Sequence, residues 1–428
     1  MAIQLDSRQI KPGDIFVAIK GQKNDGNDYA IDALNNGASL AIVDDIKYVN
    51  SSNEKILYVK SSVEALKYLG QYYLINSNIQ KLIGITGSCG KTTTRTWIND
   101  ILSKNIETCS SIKNFNTIIG LPVCLSNIKP STEIGIFEIG TNKTGEINEL
   151  SAYLNPNIGI ITNIYESHIG MFNSIEELAN EKISIINGIK NGGCLLYDGD
   201  CKFFNKIVEH CKMNNITPVS IGFNNNCDYI VSYDKNNVLV KHKFKSIEYT
   251  IGTIGKHYAY ISAIVVALID TMKLNINNYL QYFNELKPLE GRGIHKQYKY
   301  NGKQFTVIDE TYNASPSAMN ASIEVLKQFN KKKIVVVGEM LELGKHSEYY
   351  HEQLSYNLQY LENAIIYFIG NKNLHKIINK YRPVTCYEGI TTDVIKNILD
   401  TIEENYILFL KGSHSINLRM FLEYLLKP

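Results

Sequence analysis

The chain has 428 residues, which predicts two or three domains at about 150 residues each. Hydrophobic residues make up 44% of it and charged residues 20%, so it can bury full cores and does not belong to the disordered class. The net charge of +2 argues against general electrostatic binding to nucleic acid or to anionic membranes.

The cysteines and the lengths of the apolar runs indicate where in the cell the protein is expected. The eight cysteines show no C-x-x-C pair and no regular framework. Residues 1–10 show no secretory signal, so we expect reduced thiols in a cytoplasmic protein. No apolar run approaches the roughly 18 residues that a membrane-spanning helix needs, so we expect no membrane insertion.

The first part of the chain alternates short strands and helices. Residues 14–19 and 40–43 are predicted strands. Residues 29–36 are a predicted helix that ends at Gly37, because glycine accepts the backbone conformation that closes a helix. We therefore predict a small α/β unit at the start of the chain.

Arginine, the residue best suited to bidentate phosphate binding, is scarce in this chain. It occurs at Arg8, Arg95, Arg292, Arg382 and Arg419. The first of these follows an acid and a hydroxyl in Asp6-Ser7-Arg8. A hydroxyl beside an arginine can hold a phosphate or a uracil group, and an ordinary surface turn is the alternative.

Residues 81–93 have the order of a strand, a phosphate loop and a helix. The apolar run enters a glycine turn, and a helix-compatible run follows at 94–102. Lys91 would reach the β- and γ-phosphates of a nucleotide, and the Thr92 hydroxyl would bind Mg²⁺. The predicted phosphate-binding residues are Gly87, Ser88, Cys89, Gly90, Lys91, Thr92 and Thr93.

This phosphate loop departs from the strict pattern, because Ile85 stands where a glycine is expected. An ordinary glycine turn that opens a helix therefore remains the alternative. Cys89 has no obvious base nearby in the sequence, so we interpret it as a residue that fills the loop rather than as a nucleophile.

Two later predicted strands end in polar residues. The strand at 134–138 ends in Glu138, and the strand at 158–162 leads to Asn163 and His168. Nucleotide-binding sheets place metal ligands at the carboxyl ends of such strands, so Glu138 is a candidate ligand. A structural role and a functional role are both open for His168.

The middle of the chain continues with a helix at 175–189, on which Lys182 is interpreted as a solvated surface charge. Hairpins are predicted at 229–250, and a long apolar helix follows at 255–272. Residues 287–293 contain one proline and two glycines, so they are the best candidate for a linker.

A second α/β alternation follows this linker. Its predicted strands span 306–309, 333–337, 364–369 and 406–410, and a turn at 311–316 leads into a helix. We expect a doubly wound domain with polar loops at the carboxyl ends of its strands.

Taken together, these loops resemble the Mur ligases over nearly the whole chain. The resemblance lies in Asp6-Ser7-Arg8 with residues 12–16, the phosphate loop, residues 138–142 and 145–147, Asn163 with His168, Lys182, Gly291-Arg292, and residues 312–316, 338–344 and 411–413. Residues 312–316 and 338–344 are the most specific, because they are similar to the family members that add D-alanyl-D-alanine.

The resemblance implies an α/β fold of three domains. Residues 1–79 would form a small domain that binds the UDP-MurNAc-peptide. Residues 80–291 would form a central ATP-binding ligase domain of the P-loop mononucleotide-binding type. Residues 292–428 would form a Rossmann-like domain that binds the incoming dipeptide.

The resemblance also implies metal-binding roles for single residues. Thr92 and Glu138 would bind the Mg²⁺ ion that bridges the β- and γ-phosphates of ATP, and His168 would bind a second Mg²⁺. Lys182 falls where related ligases carry a lysine carbamylated by CO₂. A carbamate would turn this cation into an anion able to hold the second metal.

Further implied contacts involve the two substrates and the nucleotide. Arg292 and Asp309 would contact ATP near the domain junction, and Lys411 would reach the reacting phosphoryl group from the third domain. The implied substrate-binding residues are Asp6, Ser7 and Arg8 at the UDP end, with Asn116, Asn142 and Asn313.

The implied activity is the ATP-dependent joining of D-alanyl-D-alanine to UDP-MurNAc-tripeptide through an acyl phosphate, by a cytoplasmic monomer in peptidoglycan-precursor synthesis. The nearest alternatives are the Mur ligase that adds the third residue and a folylpolyglutamate synthase. The former usually carries Asp-Asn-Pro-Arg when it adds diaminopimelate, and this chain has no such motif. A nucleotide-switch or motor ATPase is the alternative from another class, and it fits poorly with Asp6-Ser7-Arg8 and a separate third domain.

Three positions depart from the family pattern. The Asp-Ser-Arg motif begins at residue 6, where the family usually has extra residues before it, so we expect a trimmed first domain. Tyr258 and Ile261 stand where the family has asparagines that help seat adenine. Asn116-Thr117 stands where a pair of asparagines is expected. These changes weaken single contacts and leave the phosphate chemistry intact.

Overall fold

Three β-sheets follow one another along the chain, and helices pack against them. The computed structural model describes residues 2–21, 23–49, 54–112 and 115–426. Within these ranges, no helix combines the length and the apolar character needed to cross a membrane.

The first sheet has four parallel strands in the order β1-β2-β3-β4. The strands are β1 (Ile3–Gln4), β2 (Ile15–Val17), β3 (Leu40–Val43) and β4 (Ile56–Tyr58), and the helices are α1 (Ala30–Asn35) and α2 (Ser62–Ile75). Gly37 follows α1 with a φ of +104°, as the predicted helix end requires. The predicted strands and helix of this region are confirmed.

The second sheet has nine strands in the order β13-β12-β11-β10-β9-β8-β5-β7-β6. They are β5 (Lys81–Thr86), β6 (Thr108–Ser110), β7 (Ile134–Glu138), β8 (Ile158–Ile161), β9 (Cys194–Asp198), β10 (Thr217–Gly222), β11 (Tyr229–Asp234), β12 (Asn237–His242) and β13 (Lys245–Thr250). Neighbouring strands are parallel from β6 at one edge of the sheet across to β11. Strands β11, β12 and β13 form an antiparallel meander, which confirms the predicted hairpins.

Among the described residues, six α-helices accompany this second sheet. They are α3 (Lys91–Leu102), α4 (Gly120–Leu125), α5 (Glu146–Leu154), α6 (Ile175–Ile183), α7 (Phe204–Met213) and α8 (Lys256–Thr271). Helix α8 is buried from Tyr258 to Ile269, which explains why its sequence is apolar on every face. Helix α6 ends at Ile183, and a 3₁₀ turn covers Ser184–Gly188 where the sequence predicted a continuous helix.

The third sheet has six strands in the order β14-β15-β19-β16-β17-β18. The strands are β14 (Ile294–Tyr300), β15 (Lys303–Glu310), β16 (Lys333–Gly338), β17 (Ala364–Ile369), β18 (Thr385–Tyr387) and β19 (Ile407–Lys411), and the helices are α9 (Pro316–Lys327), α10 (Ser347–Leu358), α11 (His375–Ile378), α12 (Thr392–Leu399) and α13 (Met420–Leu425). Only β14 runs antiparallel to its neighbour.

Helices cover both faces of this third sheet, which confirms the doubly wound prediction. Val335 and Val337 of β16 pack with Leu354 of α10 on one face. Ile334 on the opposite face of the same strand packs with Ile398 of α12. This alternation follows from the pleat, because successive side chains of a strand point to opposite faces.

The first unit packs on the second through α2. The Tyr153 hydroxyl donates to the Lys67 carbonyl at 2.8 Å, and the Lys67 ammonium lies 3.1 Å from Glu149. Gly70 faces Pro122 closely enough that a Cβ would lie 2.9 Å from the Pro122 Cα. The small unit is therefore joined to the central one by direct helix packing.

Candidate active site

A cavity of about 470 Å³ lies between the second and third sheets, at the carboxyl ends of their strands. Such volumes are typical of small-molecule sites. The predicted site residues that line it are Gly87, Ser88, Cys89, Gly90, Lys91, Thr92, Thr93, Asn116, Glu138, Asn142, His168, Lys182, Arg292, Asn313 and Lys411. Residues far apart in the chain, from both the central and the third unit, thus meet in one space.

The phosphate loop connects β5 to α3, and two glycines permit its shape. Gly87 has a φ of +143° and Gly90 a φ of +80°, conformations that L side chains rarely adopt. A Cβ at Gly87 would overlap the Thr162 hydroxyl. Helix α3 starts directly after Gly90, so the positive end of its dipole borders the cavity and favours an anion there.

The segment after β8 holds the phosphate loop in place through hydrogen bonds. The Cys89 N–H donates to Asn163 Oδ1 at 2.8 Å, and Asn163 Nδ2 donates back to the Cys89 carbonyl at 3.0 Å. The Thr162 hydroxyl donates to the same carbonyl at 2.7 Å. The Ser88 hydroxyl donates to the Tyr165 carbonyl at 2.7 Å. Asn163 therefore fixes the loop.

Lys91 folds back over the phosphate loop. Its Nζ donates to the Gly87 carbonyl at 2.6 Å and to the Ser88 carbonyl at 3.4 Å. Burial lowers the pKa of Lys91, and the carboxylate of Glu138 acts in the opposite direction. A half-buried ammonium beside a loop of this shape is suited to binding a polyphosphate.

Glu138 at the end of β7 is held by two side chains of α3. The Thr92 hydroxyl donates to Glu138 Oε2 at 3.2 Å, and Arg95 Nε donates to Oε1 at 2.8 Å. Arg95 also donates to the Ser111 carbonyl at 2.6 Å. The sequence interpretation gave Arg95 no role, although its position one helical turn after Thr92 would have placed it on the same face of α3.

Lys182 is buried, so the interpretation of it as a solvated charge is wrong. Its exposed fraction is 2%, and within the described part of the chain no carboxylate forms an ion pair with it. Burial, assisted by the neighbouring ammonium of Lys91, lowers the pKa of Lys182 to about 7. Its neighbour Glu181 accepts hydrogen bonds from the N–H groups of Gly145 and Ile147 instead.

His168 at the rim of the cavity contacts the third unit. Its Nδ1 lies 2.6 Å from Glu342 Oε2, and this hydrogen bond lowers the pKa of Glu342. Glu342 belongs to the segment 338–344 that was singled out in the sequence, but no role had been given to this residue. The pairing could not be read from two positions so far apart in the chain.

Lys411 and Glu310 form a buried ion pair at the opposite side of the cavity. They are register partners on adjacent strands β19 and β15, and Lys411 Nζ lies 2.8 Å from Glu310 Oε2. The Ser322 hydroxyl donates to the same oxygen at 2.6 Å, and Lys411 also donates to the Asn313 carbonyl at 3.2 Å. Burial alone would raise the pKa of Glu310, but Lys411 outweighs it and the net shift is downward.

The linker carries Arg292, whose guanidinium lies 3.9 Å from the centre of the Tyr312 ring. The Tyr258 hydroxyl donates to the Arg292 carbonyl at 2.7 Å. Asp309 accepts from the Gly291 N–H at 3.0 Å and from the Thr311 hydroxyl at 2.7 Å. Asp309 is not among the described residues that line the cavity, and its carboxylate accepts hydrogen bonds from the linker residue Gly291 and from Thr311.

Asp6, Ser7 and Arg8 lie in the first unit and are not among the described residues that line the cavity. Arg8 is paired with Asp6 through bonds of 2.8 and 2.9 Å, and its side chain is 86% exposed. The Ser7 carbonyl accepts from Asn36 Nδ2 at 3.0 Å. The Arg8 side chain thus lies on the open surface of the first unit, whereas Ser7 is buried and Asp6 is partly exposed.

Comparison with known proteins matches all three units. The descriptions that match are the Mur ligase family, catalytic domain (residues 2–73), the Mur ligase middle domain (residues 85–269) and the Mur ligase, glutamate ligase domain (residues 296–414). The chain is 33% identical to the UDP-N-acetylmuramoyl-tripeptide--D-alanyl-D-alanine ligase of Rickettsia prowazekii, over 99% of this chain and 94% of that protein.

Solved structures give the same result for the fold. MurF from Acinetobacter baumannii is similar with a TM-score of 0.87 at 25% identity, covering 99% of this chain and 93% of that one. MurF from Thermotoga maritima in complex with ADP is similar with a TM-score of 0.84 at 25% identity, covering 99% and 96%. The likeness therefore extends over all three sheets rather than over the phosphate loop alone.

Proposed function

This chain belongs to the Mur ligase family, and we propose that it joins D-alanyl-D-alanine to UDP-N-acetylmuramoyl-tripeptide with hydrolysis of ATP to ADP. One observation carries the proposal: a single cavity holds the phosphate-loop residues Lys91 and Thr92 together with the Tyr312-Asn313 stretch of the third unit. The relative from Rickettsia prowazekii, named for this reaction, matches over nearly the full length of both chains.

We further propose that the three units divide at residues 1–79, 80–291 and 292–428, with the UDP-peptide, ATP and the dipeptide bound in that order. The three sheets fall within these boundaries, and residues 287–293 lie between the last two sheets. We place the reaction in the cytoplasm, in agreement with eight free cysteines. We also propose a monomer, in which residues of the central and third units of the same chain line the cavity together.

The reaction has two steps. The terminal carboxylate of the tripeptide attacks the γ-phosphorus of ATP, the bond to the β-phosphate oxygen breaks, and an acyl phosphate and ADP form. The amine of D-alanyl-D-alanine then attacks the acyl carbon, expels phosphate and loses a proton. Lys91 and Lys411, on opposite sides of the cavity, would offset the like-charge repulsion between carboxylate and triphosphate.

The residues at β7 and α3 fit a Mg²⁺ ion. Oxygen ligands on adjacent corners of an octahedral Mg²⁺ lie roughly 2.9 Å apart. Thr92 Oγ1 and Glu138 Oε2 lie 3.2 Å apart, and both are the hard oxygen donors that Mg²⁺ prefers. When bound, the ion would supply charge that stabilises the pentavalent phosphoryl group.

A second Mg²⁺ would involve His168 and a carbamylated Lys182. Among the described residues, no three His, Cys, Asp or Glu side chains form a metal site, so phosphate oxygens and water must complete the coordination. Lys182 suits carbamylation, because CO₂ reacts with a neutral amine and burial lowers the pKa of this one to about 7. The carbamate would also remove an unpaired buried cation.

The remaining predicted contacts are also part of this proposal. Arg292 would contact ATP from the linker, and Asp309 would act by holding that linker through Gly291. Asn116, Asn142 and Asn313 line the cavity and offer amide groups to the substrates. Asp6, Ser7 and Arg8 would bind the UDP end of the substrate, away from the reacting atoms.

Phosphate release by the purified enzyme tests the proposed function. With ATP, Mg²⁺ and UDP-MurNAc-tripeptide we expect release that depends on D-alanyl-D-alanine. Meso-diaminopimelate, L-lysine and glutamate should not replace the dipeptide, since they are substrates of the alternative ligases. ATP hydrolysis that needs no amine substrate would favour a switch or motor ATPase and would contradict the proposal.

A further inference from the structure

His168 and Glu342 join the central and third units at the edge of the cavity. His168 Nδ1 lies 2.6 Å from Glu342 Oε2, and the side chains are 25% and 45% exposed. His168 lines the cavity, whereas Glu342 is not among the described lining residues. The carboxylate therefore contacts an imidazole that itself lines the cavity.

The backbones at this contact are also joined. The Gly170 N–H donates to the Glu342 carbonyl at 2.8 Å. A Cβ on Gly170 would lie 2.6 Å from the Gly344 nitrogen, so only glycine permits this approach. His168 has a φ of +59° and Glu342 a φ of +63°, left-handed conformations that a packed contact must hold in place.

Apolar side chains on either side extend the same contact. Ile169 and Phe172 of the central unit are buried in one cluster with Met340 and Leu343 of the third unit. Burial of apolar area of this kind stabilises the packing of the two units against each other. The His168–Glu342 contact is thus part of a built interface rather than an isolated surface contact.

The two nitrogens of an imidazole are distinct, and a hydrogen bond to one decides the role of the other. A histidine that binds a metal commonly gives its second nitrogen to a carboxylate, which fixes the ring and raises its basicity. Here Nδ1 is committed to Glu342, so Nε2 is the nitrogen left for a ligand in the cavity.

We propose that Glu342 is a positioning residue, which orients His168 for a divalent cation only when the third unit closes on the central one. The inference rests on the proposed function, since it assigns a cation to His168. Under this inference the second cation site needs both units, because the central unit supplies His168 and the third unit supplies Glu342. The site would then be complete only when the two units pack together around the substrates. This would prevent phosphoryl transfer before closure excludes water.

Manganese binding tests this inference without turnover. Mn²⁺ would be titrated by electron paramagnetic resonance into the full-length enzyme with UDP-MurNAc-tripeptide and a non-hydrolysable ATP analogue. We expect two classes of Mn²⁺ in the wild type. Glu342→Ala should weaken the second class by about tenfold and leave the first unchanged, since outer contacts to metal ligands affect affinity by that order. Glu342→Gln, which keeps an acceptor oxygen, should have a smaller effect.

Glu348→Gln is the matched control, because it removes one negative charge from the exposed start of α10 nearby. This variant should bind Mn²⁺ in both classes of sites with the affinity of the wild type. Wild-type Mn²⁺ affinity in both Glu342 variants, or equal loss of both classes, would overturn the inference. If the alanine variant does not fold, the test rests on the isosteric glutamine variant alone. An unchanged Mn²⁺ affinity of its second class of sites would then overturn the inference.

The outcome can be separated from that of the proposed function. A wild-type enzyme that binds two Mn²⁺ but does not use D-alanyl-D-alanine would overturn the proposed reaction and leave the role of Glu342 standing. A wild-type enzyme with one class of Mn²⁺ and normal ligation would overturn the role of Glu342 alone.

Discussion

The two sides of the cavity are built in different ways. The central wall consists of residues 87–93 with residues 162–168, and its hydrogen bonds join backbone and small polar side chains within one unit. The third-domain wall consists of residues 310–318 with Lys411, and it depends on a buried ion pair between neighbouring strands.

This difference in construction determines how each wall responds to amino-acid substitution. Much of the central wall is backbone, whose N–H and C=O groups are present whatever the side chain, so its shape depends on glycine and on single charged groups. The third-domain wall places two charges out of water, so removal of either one leaves the other unpaired. We therefore expect substitutions in the central wall to cost activity and those in the third-domain wall to cost stability as well.

The largest expected effect is that of Lys91→Ala in the central wall. Loss of the ammonium should lower kcat/KM by about 10³-fold, the usual scale for removing a charge that stabilises a transition state. Phosphate release with both substrates measures it, and circular dichroism should show an intact fold. Lys190→Ala, at an exposed position, is the control and should be fully active. An active, magnesium-dependent Lys91→Ala enzyme would overturn the assignment of the phosphate loop.

A smaller loss, about 10²-fold, is expected for Lys182→Ala, because under the proposal it would remove one metal ligand and not the nucleotide site. If the proposed carbamate forms, short-chain carboxylic acids should replace it and restore part of the activity. In the wild type at limiting CO₂, activity should fall as the pH drops below about 7, where the amine becomes protonated and cannot form a carbamate. Nuclear magnetic resonance with ¹³CO₂ detects the carbamate, and unchanged turnover of the variant would argue against it.

The third-domain wall is broken by Lys411→Met, which leaves Glu310 buried and unpaired. We expect a loss of about 3–5 kcal/mol in the free energy of unfolding, measured with urea. Adding Glu310→Gln should restore most of the stability and none of the turnover. A stable single variant would show that the pair contributes little to the fold.

This pair also predicts a pH dependence of stability. The pKa of Glu310 is lowered in the folded chain, so its contribution is present above the unfolded value of about 4.5 and is lost as the pH falls through the folded value. Urea titrations of wild type and of the double variant between about pH 6 and pH 3 should therefore converge at the acidic end. If the unfolding free energies of the two proteins instead changed in parallel over this pH range, Glu310 would be excluded as the source of the pH dependence.

The smallest effect is expected outside both walls, at Arg8. Its side chain is exposed and paired only with Asp6 among the described residues, so Arg8→Ala should leave Tm unchanged. If Arg8 contacts the UDP end, KM for the UDP-substrate should rise by about three- to tenfold with kcat unchanged. An unchanged KM would support the alternative of an ordinary surface turn.

Several parts of the site could be predicted from local patterns. The phosphate loop was predicted because positive-φ glycines between an apolar run and a helix form a local signal. Glu138 was predicted as a site residue because it ends a buried strand, and it lies in the cavity within hydrogen-bond distance of Thr92. Burial of Lys182 was not predicted, because the amphipathic pattern of a short helix does not say which neighbours cover it.

The partners of these residues escaped prediction for a related reason. Arg95 pairs with Glu138 across 43 positions, Glu310 with Lys411 across 101, and His168 contacts Glu342 from another unit. Asp309 was expected at ATP, and its visible contacts are with Gly291 and Thr311. Nothing in a one-dimensional pattern encodes such distances.

The amino-acid sequence alone determined the order of strands and helices, the phosphate loop and the family resemblance, since these depend on neighbouring residues and on backbone conformation. Tertiary structure alone decided which charges are buried, which are paired and which residue of the third unit contacts His168. The physical reason is that burial and ion pairing depend on the packing of distant segments. Strand register then sets which side chains lie side by side.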